Sequence, residues 1–175
     1  MIRIGLGRDL HRLIEGRRFL LAGVEIPAAR GEDGHSDGDV LAHAVTDALL
    51  GAAGLGDIGG FFPPSDPAWK DADSMELLRS AWKAVQDCGW KICNMDCVVN
   101  CERPKILPHR KAIQCRLAEV LGCDPAAIFV KGKTNEGCDS IGKGEAVEAL
   151  VVCLLERTQA PRHQQGLKHS NPPAG

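Results

Sequence analysis

Asp9 and His11 stand two residues apart near the start of the chain, and His43 follows on a segment that reads as a helix. Side chains two apart on a strand leave the same face. The Asp9-Leu10-His11 stretch therefore offers a carboxylate oxygen and an imidazole nitrogen side by side. With His43 the set is one Asp and two His, which leaves a fourth position open; that is the pattern of a catalytic rather than a structural zinc. Taken singly, the three also read as a strand-end Asp, a surface His and a helix-face His. His35-Ser36-Asp37-Gly38-Asp39 lies at the mouth of the same helix, where free N–H groups and the macrodipole attract anions. Asp37 and Asp39 there also suit plain capping. His35 lies outside the cap, beside backbone free to reach a phosphate.

Three further stretches carry chemistry without deciding it. The stretch 57–66 combines Asp57, Gly59 and Gly60 with Phe62, Pro63, Pro64, Ser65 and Asp66; it could contact a ligand or be turn chemistry alone. Lys131 to Gly137 places two cations, the Thr134 hydroxyl and the Glu136 carboxylate at a strand end. Its spacing is not that of a Walker A loop, but Lys and backbone N–H groups could hold phosphates and Glu136 a hard cation such as Mg²⁺. Arg103-Pro104-Lys105 is ambiguous alone. No Ser-His-Asp or Cys-His order stands out as a protein nucleophile.

These residues need elements to position them. Residues 2–11 read as a strand, and 19–26 as one or two more, broken at Gly23 and Pro27; 28–34 reads as a polar loop. A helix is predicted from about Asp39 to Ala53, with Asp37 as N-cap and Gly54 as its stop. Val40, Leu41, Ala44, Val45, Ala48, Leu49 and Ala52 would form its apolar side, with Asp39, His43, Thr46 and Asp47 opposite. Residues 54–70 read as a loop. Asp73 and Glu76 suggest a capping box for a helix over 74–88 that buries Met75, Leu78, Trp82 and Val85 and stops at Gly89. A strand is predicted over 90–101, a helix from Pro108 to near Gly122, a strand over 128–133 and a Gly-rich loop over 134–144. The apolar run 146–155 fits a buried strand or a buried helix equally. The polar, Pro-containing residues 158–175 read as a disordered tail outside a single domain of residues 1–157.

The order of elements predicts an α+β fold, a single mixed sheet with helices packed on one face. The other sheet face then needs cover, which further copies of the chain could supply through the apolar final segment. At 175 residues there is length for one cored domain. A net charge of −2, the absence of Tyr and an aromatic content of 4% argue against nucleic acid as partner. Eight cysteines without a C-x-x-C pair, in a chain that opens with Arg3, Arg8 and Asp9 and no apolar leader, read as small packing residues of a reducing cytoplasm. No apolar run is long enough to cross a membrane.

The motifs occur in a known order: Arg3 to His11; His35-Ser36-Asp37-Gly38-Asp39-Val40 with His43; Asp47 to Ala52; Gly56-Asp57-Ile58-Gly59 with Phe62-Pro63; Pro104-Lys105 with Leu107-Pro108-His109; Lys131 to Glu136; and Gly142 to Glu145. In this the chain closely resembles the 2-C-methyl-D-erythritol 2,4-cyclodiphosphate synthases, over roughly residues 1–157. The resemblance implies a lyase of the non-mevalonate isoprenoid pathway that releases CMP as it cyclises its substrate. It implies a homotrimer whose sheets face a threefold axis, with active sites between adjacent subunits. Zn²⁺ on Asp9, His11 and His43 would bind a β-phosphate oxygen, and Mg²⁺ or Mn²⁺ at Glu136 would bridge the α- and β-phosphates. His35 and Thr134 would hold phosphate oxygens during reaction, with Ser36 beside them. Asp57, Ile58 and Gly59 would form the methylerythritol pocket, next to a mobile loop of Phe62, Pro63, Pro64, Ser65 and Asp66. Cys101, Pro104, Lys105, Ile106 and Leu107 would hold cytidine; Lys133, Asn135 and Lys143 complete the implied substrate contacts. Lys133, Ser140, Lys143 and Pro64 depart from the family's common Thr, Phe, Arg and Asp. A zinc phosphohydrolase acting on a nucleoside diphosphate conjugate is the alternative activity that the same residues allow.

Overall fold

The computed structural model describes residues 1–34, 36–63, 65–66, 69 and 72–157. Strand β1 (Ile2–Ile14) is followed by a hairpin of β2 (Leu20–Leu21) and β3 (Val24–Glu25), then by β4 (Gly31–Asp33), helix α1 (Val40–Ala53) and the single turn α2 (Ile58–Phe61). Helix α3 (Ser74–Asp87), strand β5 (Trp90–Asn100), α4 (Arg110–Leu121), β6 (Ile128–Lys133), the turn α5 (Asp139–Gly142) and β7 (Ala146–Arg157) complete the order. Five strands form one mixed sheet in the order β4-β1-β7-β5-β6; β5 and β6 run parallel and the other neighbours antiparallel. The β2–β3 hairpin is a separate two-stranded ribbon beside that sheet.

Alternation along the strands fixes the two faces. On β1, Gly5, Gly7, Asp9, His11 and Leu13 turn toward the helices; on β7, Val147, Ala149, Val151, Cys153 and Leu155 do the same and are fully buried. The apolar run at 146–155 is thus a strand, its neighbours β1 and β5 taking every backbone bond that a helix would have kept to itself. The opposite face stays open. Ile4 is 72% exposed, Leu6 67% and Val152 46%, an unusual cost for a sheet of this size standing alone.

Helix α1 touches the sheet backbone to backbone. A Cβ on Gly5 would lie 1.9 Å from the Ala48 carbonyl oxygen, and one on Gly7 1.9 Å from that of Ala44. Only glycine permits this approach. The helix is also packed against α3, so it is buried almost all round, and Thr46 lies fully buried with its hydroxyl donating to Ala42 O at 2.8 Å. This corrects the one-sided helix expected from sequence. The cap is corrected too: Asp39, not Asp37, accepts from Ala42 N, while Gly54 ends the helix at φ 74 as expected.

Three loops hold more order than their polarity suggested. Gly31–Asp33 pairs with the end of β1, which runs three residues past His11; α2 is capped by Asp57; and Asp139–Gly142 makes one helical turn. Helix α3 begins at its Asp73 cap, buries Met75, Leu78, Trp82 and Val85, and ends just before Gly89. Cys93 sits at a bulge in β5 between Ile92 and Asn94, so it leaves the face that Cys97 shares with the other inward residues.

Candidate active site

The glycine contact between β1 and α1 sets the first group of site residues. With Gly7 against Ala44, the next inward residues of β1 are Asp9 and His11, and the helix presents His43 to them. Asp9 Oδ2 lies 3.0 Å from His11 Nε2 and 3.0 Å from His43 Nδ1. One ligand atom from each of the three falls within 4.8 Å of the others. Burial works against the Asp9 charge, but hydrogen bonds and charges from both imidazoles outweigh it and hold its carboxyl far below the usual range. Burial likewise works against a charged His11, while Asp9, Glu32 and the Gly38 carbonyl push its imidazole up to about 10.

The remaining ring nitrogens are held from behind. His11 Nδ1 donates to Gly38 O at 2.7 Å, leaving Nε2 toward Asp9. His43 Nε2 donates to the Ser36 and Ser74 hydroxyls, each at 2.9 Å, and the Ser74 hydroxyl in turn donates to the Asp37 carboxylate. Both imidazoles therefore turn their other nitrogen, Nε2 of His11 and Nδ1 of His43, toward the point that Asp9 faces. Two nitrogens and one carboxylate oxygen, each backed by its own hydrogen-bond partner, make a donor set that fits a divalent metal. Two buried carboxyl groups tie this corner together from within. Asp39 accepts from Ala22, Gly23 and Ala42 N–H groups, and Glu32 accepts from Val40 N at 2.7 Å. Burial pushes Asp39 up, and Glu32 up to about 8. Arg17 binds the carbonyls of Glu32, Gly34 and Ser36, fastening the chain on both sides of position 35.

A cavity of about 240 Å³ opens on the triad, lined also by Ser36, Asp47, Ile58, Gly59, Phe62, Trp69 and Leu77. Asp47, one helical turn past His43, accepts from Ile58 N at 2.7 Å and so ties α2 to α1; burial raises its pKa. Asp57 accepts from Gly60 N at 2.7 Å and is engaged as the α2 cap. Pro63 O accepts from Asp66 N in the turn that holds Ser65. His35 and Pro64 lie outside the described residues, as do residues 158–175.

The other predicted residues gather elsewhere on the chain. Cys101, Lys105, Ile106 and Leu107 line a cleft with Gly132, Lys133 and Thr134, where Cys101 N donates to Lys133 O at 2.8 Å. A Cβ on Gly132 would lie 2.8 Å from that of Ile106, so the two segments touch. Thr134 donates to Glu136 at 2.5 Å, and Asn135 to Asp139 at 2.9 Å. Pro104, Lys105 and Lys143 border a larger cavity with Arg30 and Arg103. None of this second group lines the triad cavity. Glu32, Ser74, Arg17 and Asp47 escaped the sequence reading as site residues. Of these only Asp47 left a signal, its spacing of four from His43; the others come from elements whose proximity no spacing reveals.

A family model described as the YgbB family matches residues 2–156. A 2-C-methyl-D-erythritol 2,4-cyclodiphosphate synthase from Treponema denticola is 56% identical over 154 residues, covering 88% of this chain and 96% of that one. Among solved structures, a complex of the Plasmodium falciparum enzyme IspF with CDP aligns at TM-score 0.79 and 36% identity, over 89% of this chain and 96% of that one. The bifunctional IspDF from Campylobacter jejuni aligns at TM-score 0.87 and 43% identity over 90% of this chain; the match spans 43% of that longer protein. Fold, triad and relatives agree: the chain belongs to the YgbB family, that of the 2-C-methyl-D-erythritol 2,4-cyclodiphosphate synthases.

Proposed function

We propose that this chain converts 4-diphosphocytidyl-2-C-methyl-D-erythritol 2-phosphate to 2-C-methyl-D-erythritol 2,4-cyclodiphosphate and CMP. The observation that carries the reading is the convergence of Asp9, His11 and His43 on one point at the wall of a cavity, in a chain of this family. An oxygen of the 2-phosphate attacks the β-phosphorus, the bridge to the α-phosphate breaks, and CMP leaves with the bridging oxygen. No water is consumed and no protein nucleophile is needed.

On this reading Asp9, His11 and His43 hold Zn²⁺, and Glu136 helps to hold Mg²⁺ or Mn²⁺ with the diphosphate. The metals supply positive charge to phosphate oxygens where two anionic groups must meet. The chain's own residues do the placing. Asp47 fixes the turn of Asp57, Ile58 and Gly59 at the cavity wall, where the methylerythritol unit fits, and Phe62 with Trp69 gives that wall an apolar edge. The cleft between residues 101–107 and 132–134 suits cytidine, in line with the CDP held by the Plasmodium falciparum relative. His35 and Thr134 hold phosphate oxygens in line for attack, and Lys105, Lys133 and Lys143 offset their charge.

The triad cavity and the cytidine cleft are lined by different parts of one chain. A homotrimer packed through the open sheet face would bring one chain's triad to a neighbour's cleft, and that apolar face supports the reading. Among the described residues no helix is long and apolar enough to cross a membrane, which suits an enzyme of the cytoplasm. The test is to incubate zinc-loaded protein with substrate and Mg²⁺ in ¹⁸O-labelled water. Equal amounts of CMP and unlabelled cyclic diphosphate are expected. Linear products carrying solvent oxygen would replace the synthase with a zinc phosphohydrolase.

A further inference from the structure

Glu32 has no exposed surface, although β4, which carries it, is an edge strand. Its neighbour in the ladder is Leu13, so its side chain points to the helix side, diagonally across from His11. One oxygen, Oε2, accepts from Val40 N at 2.7 Å, the first residue of α1. The same oxygen lies 3.6 Å from His11 Nδ1, just beyond hydrogen-bond range, on the side of the ring that donates to Gly38 O. The other oxygen, Oε1, has no hydrogen-bond partner among the described residues. The Glu32 backbone reaches the same spot: a Cβ on Gly38 would lie 2.7 Å from Glu32 O.

A tie to the helix does not require this charge. Asp39 already caps α1, and a neutral carbonyl would serve Val40 N equally well. A fully buried carboxylate with one oxygen unmatched is costly, and Asp39, a second buried carboxyl whose two oxygens are both matched, lies close by. With a divalent cation on the triad the Glu32 carboxyl would ionise more readily, and its charge would be directed at the back of the His11 ring. We infer that Glu32 is a positioning residue of the Asp9–His11–His43 centre, acting through His11. It holds the Nδ1–H pointing into the protein beside Gly38 O, and so keeps Nε2 aimed at the metal point. Such partners behind a ligating imidazole orient it and raise its strength as a donor. The inference rests on the metal reading proposed above.

Glu32→Gln isolates the charge, because the amide carbonyl can take the Oε2 position and keep Val40 N bonded. The zinc dissociation constant of wild type and variant is measured by competition with a chromophoric chelator. The variant is expected to bind zinc about ten- to a hundredfold more weakly. In the zinc-loaded proteins, the His11 Nδ1–H resonance is expected to move upfield and exchange faster with solvent in the variant. Thermal unfolding of the zinc-free proteins is expected to show the variant close to wild type, since Gln keeps the shape of the side chain and the bond from Val40 N. A merely structural Glu32 would do the reverse, lowering the unfolding temperature with zinc affinity intact. That result, or a variant that fails to fold, overturns the inference, as does unchanged affinity with an unchanged resonance. A wild-type protein that binds no zinc would instead remove the metal reading beneath it.

Discussion

His43 uses both ring nitrogens. Nδ1 faces Asp9, and Nε2 donates to two hydroxyls, of which Ser74 is itself held by Asp37. The chain Asp37–Ser74–His43 fixes which nitrogen keeps the proton, as a carboxylate does behind a metal-bound imidazole. Ser74→Ala leaves Ser36 as sole partner and should weaken zinc binding about tenfold, and the double change with Ser36→Ala about a hundredfold. Chelator competition reads both. An unchanged constant in the double variant would show that the hydroxyls do not orient the ring. The triad itself was legible in the sequence, because the parity of Asp9 and His11 on a strand and the polar flank of one helix are local patterns. The residues behind it were not. Ser74 opens a helix thirty-one positions from His43, and its spacing speaks only of a helix start.

Between β1 and α1 there is no room for a methyl group. Gly7→Ala would set a Cβ against the Ala44 carbonyl, which is backbone and cannot rotate away. Overpacking of this kind should cost about 3 kcal/mol, the upper end of its usual range. It should also lower bound zinc, since the helix that would have to shift carries His43. Denaturant unfolding and metal analysis on one sample check both, and a stable, fully loaded variant would contradict this packing. The glycines looked like ordinary strand residues in the sequence, and only the buried helix reveals their purpose. The sheet makes a second prediction. Burial pushes the Cys97 and Cys101 thiols up to about 12, and that of Cys153 up to about 11. In the unfolded chain such thiols ionise near 9. With folded values raised, this contribution to stability is whole below pH 9 and is lost as pH climbs toward 11–12. Each thiol should cost about 1.4 kcal/mol per pH unit in that window. No tyrosine shares the titration. Urea midpoints should therefore fall steeply above pH 9, and Cys97→Ala with Cys153→Ala should flatten the fall.

At the scale of the whole molecule, one chain holds the two parts of the proposed site apart. The triad cavity is lined mainly from β1, α1 and α2; the cleft proposed for cytidine lies at the ends of β5 and β6. On the sheet face turned away from all helices, Ile2, Ile4, Leu6 and Leu10 of β1 line up beside Val152 of β7, with Phe129 of β6 at the far side. Burying apolar surface yields about 25 cal/mol for each Å², so covering this face is a strong drive to assemble. The alternation that exposes these residues was readable along β1, but not along β7, whose apolar residues run on both faces and fitted a helix as well. Leu6→Glu together with Val152→Glu places two like charges in the middle of the face while leaving the helix side untouched. Native mass spectrometry should then shift from three copies to one, with the circular dichroism of the fold retained. If the halves of the site meet only across the subunit boundary, CMP release should drop at least a hundredfold, although each chain still binds zinc through its own Asp9, His11 and His43. Activity that survives in a verified monomer would mean that one chain closes both halves on itself, and the open face would then need another occupant.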